Sequence, residues 1–173
     1  NKKNTLRRDL LKIERGTEEY TEIVRSLDLP NQSLAHLTIN EAKDKLYFSI
    51  CDYINTQDIQ CKIYTRSITE ANEIGPLVEL PININAEGST NSQPILGYDT
   101  YLKKEVLYFV SDRAGGLGKT DIWMSVIEND SIYSDPQNLT LINTEEEESS
   151  PFYDNENQRL FFSSKGHKTL GGY

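Results

Sequence analysis

An internal repeat constrains this chain more than any other feature. The stretch LYFVSDRAGGLGKTDIW, Leu107 to Trp123, returns without a gap as LFFSSKGHKTLGGY, Leu160 to Tyr173. Leu107 matches Leu160, Phe109 matches Phe162, Ser111 matches Ser164, Leu117 matches Leu170 and Gly118 matches Gly171. A third copy begins earlier, at Leu46, as LYFS, and its closing segment CKIYTRS from Cys61 corresponds to TDIWMSV from Thr120. Between these copies Ile84-Asn85-Ala86-Glu87 matches Ile142-Asn143-Thr144-Glu145, and Ser92-Gln93-Pro94 matches Ser149-Ser150-Pro151 at nearly the same offset. A period of roughly 53 to 61 residues points to one supersecondary unit used several times, each burying its apolar face against the next.

The content of the unit is read from its punctuation. A short strand follows the Pro, then a polar turn (Tyr98 to Lys104, or Asp154 to Gln158), an aromatic strand, a Gly or Asn loop, another strand, and a last strand ending near Ile-Asn. Ten Tyr, five Phe and one Trp against a single Met favour pleated, half-buried surfaces. The predicted fold class is all-β, with four antiparallel strands per unit, the content of a β-propeller blade. The expected divisions are 1–30 as closing strands of a preceding blade, 31–90 and 91–148 as whole blades, and 149–173 as the first half of another. In 1–30 a short helix competes, because Tyr20, Ile23, Val24 and Leu27 have helical spacing. Against it, Asp9-Leu10-Leu11 aligns with Asp121-Ile122-Trp123, and Gly16 inside a helix costs about 1 kcal/mol relative to Ala. On this reading Tyr173 falls opposite Thr120, and the D-I-W strand of the last blade lies outside the sequence.

Charge and cysteine content narrow the function classes. A net charge of -9, with eighteen Lys and Arg scattered along the chain, repels phosphate backbones and anionic lipid heads, so nucleic acid is not an expected partner. No apolar run reaches the roughly 18 residues needed to cross a bilayer, and NKKNTLRRDLL lacks the features of a signal peptide, so direct membrane insertion of this segment is not expected. Two cysteines, Cys51 and Cys61, are too few for a structural zinc site. No metal or other cofactor is expected.

The aromatic strand, the S-D-R-x-G-G-x-G turn followed by D-I-W, and the I-N-T-E leading to S-P-F resemble the WD40-like, TolB-type propeller repeats of bacterial envelope proteins, over Leu34 to Tyr173. Such repeats occur in exported proteins and lipoproteins of Bacteroidota, including components of type IX secretion and gliding. The resemblance implies a non-catalytic interaction or scaffold domain, with other proteins of an envelope complex as partners, in the periplasm, at the outer membrane or at the cell surface. The alternative is the gating propeller of a larger hydrolase such as a prolyl-oligopeptidase-type peptidase. The first unit departs from the pattern, since Cys51 to Cys61 replaces the Gly-rich turn.

Motifs that suggest chemistry have plainer explanations. RAGGLGKT ends like a phosphate-binding loop, but its first required Gly falls on Arg113, and DIWMSVI after it is a strand where that loop must open a helix. Gly115, Gly116 and Gly118 read instead as a hairpin turn supplying positive φ, with Asp112 and Asp121 accepting backbone amides around it. Two carboxylates fall short of the six to eight oxygens that calcium takes. Glu145 to Glu148 reads as a solvated loop, or as a docking patch for a basic partner. The two histidines, His36 and His167, stand in no hydrolase motif, His36 aligns with Pro94 and Pro151, and the Ser163-Ser164-Lys165 run repeats Val110-Ser111-Asp112, so no catalytic residue is expected.

Cys51 and Cys61 lie on the two arms of one hairpin, near the mouth of its loop. Antiparallel neighbours there have Cα atoms about 4.5 to 5.5 Å apart, within reach of a disulfide. The loop DYINTQDIQ lacks the glycines of the equivalent turn, and a covalent clasp would replace them at a gain of roughly 2 to 3 kcal/mol. Two buried thiols in a reducing compartment are the alternative. Alkylation of the native protein without reduction is expected to add no label by mass spectrometry; two labelled thiols would remove the bridge.

Overall fold

A computed structural model describes residues 10–13, 20–24, 32–54, 58–69, 73–129 and 131–168, the first two segments as backbone only. Among them are strands and no helix, so the chain is all-β. β1 (Leu10–Ile13) and β2 (Tyr20–Val24) form an antiparallel pair, so this stretch is extended where its spacing also allowed a helix; Leu27 lies outside the described residues. β3 (Gln32–Ile39), β4 (Lys45–Tyr53), β5 (Ile59–Ser67) and β6 (Val78–Glu79) make a four-stranded sheet in chain order. β7 (Asn91–Asp99), β8 (Lys104–Ser111), β9 (Asp121–Asn129) and β10 (Ile132–Tyr133) repeat that order, with β11 (Gln137–Asn138) also on β9. β12 (Glu148–Asp154) and β13 (Arg159–Ser164) form a hairpin. The sheets are antiparallel and open.

The sheets are joined by a shared apolar core. Tyr47, Ile63, Leu80 and Ile84 of the first unit cluster with Leu96, Leu107, Phe109, Trp123, Ile127 and Tyr133 of the second. β7 lies against β3, β4 and β5, and β12 lies against β7, β8 and β9, so the same side-by-side relation occurs twice. The aromatic strands carry this packing: in β4 Tyr47 and Phe48 are buried, as are Tyr108 and Phe109 in β8. Such strands are buried on both faces, which explains why they read as continuous apolar runs rather than as alternation.

The repeat also has a backbone signature. His36, Gln93 and Ser150, equally spaced along the chain, have φ of 56°, 54° and 52°. Each sits where the first strand sets two residues against one, between Ala35 and Thr38, Ser92 and Ile95, and Ser149 and Phe152. This is a β-bulge with its first residue left-handed. It shifts the alignment of the first unit by one residue: His36 corresponds to Gln93 and Ser150, and Leu37 to the prolines.

Cys51 and Cys61 are directly opposite on β4 and β5 and form a disulfide, with an S–S distance of 2.03 Å and Cα atoms 3.9 Å apart. A second device holds the other side of β5. The buried Asn85 carboxamide accepts the Ile63 N–H at 2.8 Å and donates to the Ile63 carbonyl at 2.9 Å and the Leu80 carbonyl at 3.1 Å. Asn143 repeats this on Ile122, accepting at 2.9 Å and donating at 2.8 Å. Ile63 at the centre of β5 and Ile122 at the start of β9 are fully buried. A buried carboxamide is tolerated only when its bonds are made, and here it supplies the acceptor for the isoleucine N–H beside a neighbouring segment whose Leu80 or Leu139 N–H reaches the isoleucine carbonyl.

Asn85→Ala and Asn143→Ala each leave a buried isoleucine N–H without its acceptor, while the isoleucine carbonyl keeps the N–H of Leu80 or Leu139, and are expected to cost about 2 to 3 kcal/mol in urea unfolding, whereas Glu87→Ala on the surface changes stability by less than about 0.5 kcal/mol.

Candidate interaction surface

The Gly-rich turn between β8 and β9 is held from its exit. The Asp121 carboxylate, buried, accepts the Leu117 N–H, the Gly118 N–H at 3.1 Å and the Asn138 Nδ2 at 2.7 Å. Asp112 faces elsewhere and accepts the Thr90 N–H at 2.7 Å, so the two carboxylates serve different backbone segments. Of the three glycines predicted to supply positive φ, Gly115 alone does so, at 89°. Gly116 and Gly118 are needed for close approach: a Cβ on Gly116 would lie 2.6 Å from Asp121 Oδ2, and one on Gly118 only 2.3 Å from the Glu146 carbonyl oxygen. The turn lies along residues 144–148, which lead into the next unit, where the Lys119 N–H donates to the Glu146 carbonyl at 3.2 Å and the Glu148 N–H to the Thr120 carbonyl at 2.9 Å. A strand follows the turn, so it offers no helix N-terminus to a phosphate.

The acidic run belongs to the same seam. Glu146 pairs with Lys119 at 2.7 Å, Glu147 pairs with Lys165, and the Glu148 carboxylate, fully buried, accepts the Thr144 N–H and hydroxyl at 2.7 Å each and the Ser164 hydroxyl at 2.6 Å. Glu148 is thus a buried joint, while Glu145 is exposed and Glu146 and Glu147 stay partly exposed in their ion pairs. Ser164 and Lys165 thus face different acids and form no nucleophile pair. His36 is exposed on the first bulge, and His167 sits edge-on to Phe162 with its Nε2 2.7 Å from the Ile142 carbonyl oxygen.

Arg113, part of the S-D-R-x-G-G-x-G turn but given no role from the sequence, is heavily used in the second unit. Its guanidinium lies 4.7 Å from the Phe109 ring centroid and 5.3 Å from that of Trp123. It donates to the Asn83 carbonyl at 2.8 Å, the Ile84 carbonyl, Asn91 Oδ1 at 2.6 Å and Ser111 Oγ at 3.1 Å. Burial pushes the guanidinium pKa down to about 10, with Asp112 opposing. The available signal was its place, two residues past an aromatic strand and opposite a repeated Ile-Asn. Among the described residues no group of three or more His, Cys, Asp or Glu side chains is placed to hold a metal ion.

What faces outward is a groove of about 380 Å³ at the first turns, lined by Ile39, Glu41, Leu96, Tyr98, Glu105 and Gln158 among others. It spans three units, and hydrogen bonds fix its walls: Glu41 N–H to Glu105 Oε1 at 2.7 Å, Tyr98 N–H to Asn155 Oδ1 at 2.7 Å, and Gln158 Nε2 to the Tyr98 carbonyl at 3.0 Å. Exposed apolar side chains stand on loops nearby and elsewhere, Tyr101 at 92% and Leu141 at 97% exposure. Comparison with known proteins finds no matching family model, no significantly similar curated protein and no significantly similar solved structure.

Gly118→Ala places its methyl group against backbone carbonyls that have no side-chain freedom to yield, and is expected to cost roughly 2 kcal/mol or more by thermal unfolding; Gly88→Ala, strained but in open space, costs about 1 kcal/mol.

Proposed function

We propose that this chain is part of a β-propeller of the WD40-like, TolB type, acting as a non-catalytic interaction and scaffold domain of an exported bacterial envelope protein. The observation that carries the reading is the use made of the polar side chains. Asp112, Asp121, Glu146, Glu147, Glu148, Arg113, Asn85 and Asn143 are engaged in holding loops and joining units, which yields a stiff platform whose loops are free to meet partners. Side-by-side packing of successive antiparallel units, with a bulge at the same place in three of them, supports the propeller arrangement. The Cys51–Cys61 disulfide favours an oxidising compartment, hence the periplasm, the outer membrane or the cell surface. The partners are other proteins of an envelope complex, in a lipoprotein of a secretion or gliding machinery.

A photocrosslinking amino acid placed at Tyr101 in the native host is expected to capture an envelope protein, identified by mass spectrometry. Capture of cytoplasmic proteins alone would overturn the reading.

A further inference from the structure

The turns that close the first hairpins of the three units are gripped unequally, and the outward groove lies where the grip is weaker. The second and third turns are built alike. Asp99 Oδ1 accepts the Tyr101 and Leu102 N–H groups at 2.8 Å each, and Asp154 Oδ1 accepts those of Glu156 and Asn157 at 3.1 and 3.2 Å. Each turn closes on a left-handed residue, Lys103 at φ 54° and Gln158 at φ 53°. The Gln158 carboxamide grips the neighbouring turn: it donates to the Tyr98 carbonyl at 3.0 Å and accepts the Thr100 N–H and hydroxyl at 3.3 Å each. Beside it, Asn155 Oδ1 accepts the Tyr98 N–H at 2.7 Å. Between the first and second turns the Glu105 carboxylate accepts the Glu41 N–H at 2.7 Å. Lys103, in the place of Gln158, is exposed, and among the described residues it makes no bridge to the first turn. The groove of about 380 Å³ is there, lined by Ile39, Glu41 and Lys43 of the first unit and by Leu96, Tyr98 and Glu105 of the second.

We propose that this groove binds a glutamine side chain presented by a loop of a partner protein, which supplies between the first two turns the carboxamide that Gln158 supplies between the second and third. The lining selects that chemistry. A cationic head would meet the Lys43 ammonium, an anionic one the Glu41 and Glu105 carboxylates, and an apolar one would strip water from all three without replacing it. A neutral carboxamide suits all of them, because its NH2 donates to carboxylate oxygens and its carbonyl oxygen accepts from an ammonium. Ile39 and Leu96 supply the apolar lining that the two methylenes of a glutamine need.

The inference rests on the interaction-domain reading for its partner, but its test needs only the chain, so the two fail separately. N-acetylglutamine methylamide is titrated into the full chain and followed by amide chemical shifts. Saturable shifts at Glu41, Tyr98 and Glu105 are expected, with a dissociation constant on the order of 1 mM for so small a ligand. The N-acetylglutamate and N-acetyllysine methylamides are expected to bind at least tenfold more weakly. Lys103→Gln gives the second turn the closing residue of the third; it is expected to keep the circular dichroism spectrum and lose the response, because the chain's own carboxamide then fills the place. A folded chain whose groove amides ignore the glutamine compound would overturn the proposal, as would equal binding of the charged compounds or binding unchanged in Lys103→Gln. Binding of the glutamine compound together with capture of cytoplasmic proteins alone at Tyr101 would overturn the envelope assignment and leave the site standing.

Discussion

A buried asparagine carboxamide bonded to both backbone groups of one isoleucine is the interaction on which the rest of this structure depends. Ile63, at the centre of β5, and Ile122, at the start of β9, are fully buried, where an unpaired N–H or C=O is costly. The outer strands β6, β10 and β11 are two residues each and cannot pair along the full length of the strands they cover. Asn85 and Asn143 extend that pairing from a loop. With the third strands fixed, Ile63 packs in the core that the first two units share, and each unit offers a firm face to the next.

The joints between units follow the same logic at a wetter boundary. The Gly-rich turn approaches the backbone of residues 144–146 so closely that Gly118 admits no side chain, and Lys119 and Lys165 each take one carboxylate of the acidic run. Exposed ion pairs of this kind add little stability individually. Their value is in register, because they sit beside the Lys119 to Glu146 and Glu148 to Thr120 backbone bonds that set one unit against the next.

Much of this is legible in the letters. The repeated aromatic strand announces the units, and the alignment of hairpin arms places Cys51 against Cys61. The repeat match at Asp9-Leu10-Leu11 points to strands near the start, where β1 and β2 lie, while the spacing from Tyr20 points to a helix. Other features leave no readable mark. The bulge residues His36, Gln93 and Ser150 share a backbone conformation and no chemistry, so neither glycine nor asparagine flags the position, and the letters align His36 one place off. The Ile-Asn pair is visible as a repeat, but its role depends on a partner 22 residues earlier in the first unit. Nothing in four successive glutamates shows that the last, Glu148, is buried while Glu145 stays exposed. Positive φ explains only one glycine of the turn, whereas the other two are required by neighbours that the fold brings against them.

The proposed function draws on where the polar groups of the repeated turns have gone: Asp112, Asp121, Arg113, Asn85 and Asn143 are held in structural bonds, while loops and a three-unit groove face outward. The central claim beneath it is that the asparagine-held third strands are the most stable part of the molecule. Native-state hydrogen exchange at the Ile63 and Ile122 amides tests it most directly. The account predicts that both exchange only through global unfolding, with the free energy found by urea denaturation. Exchange of either amide through local opening, several kcal/mol more easily than the flanking strand, would contradict it.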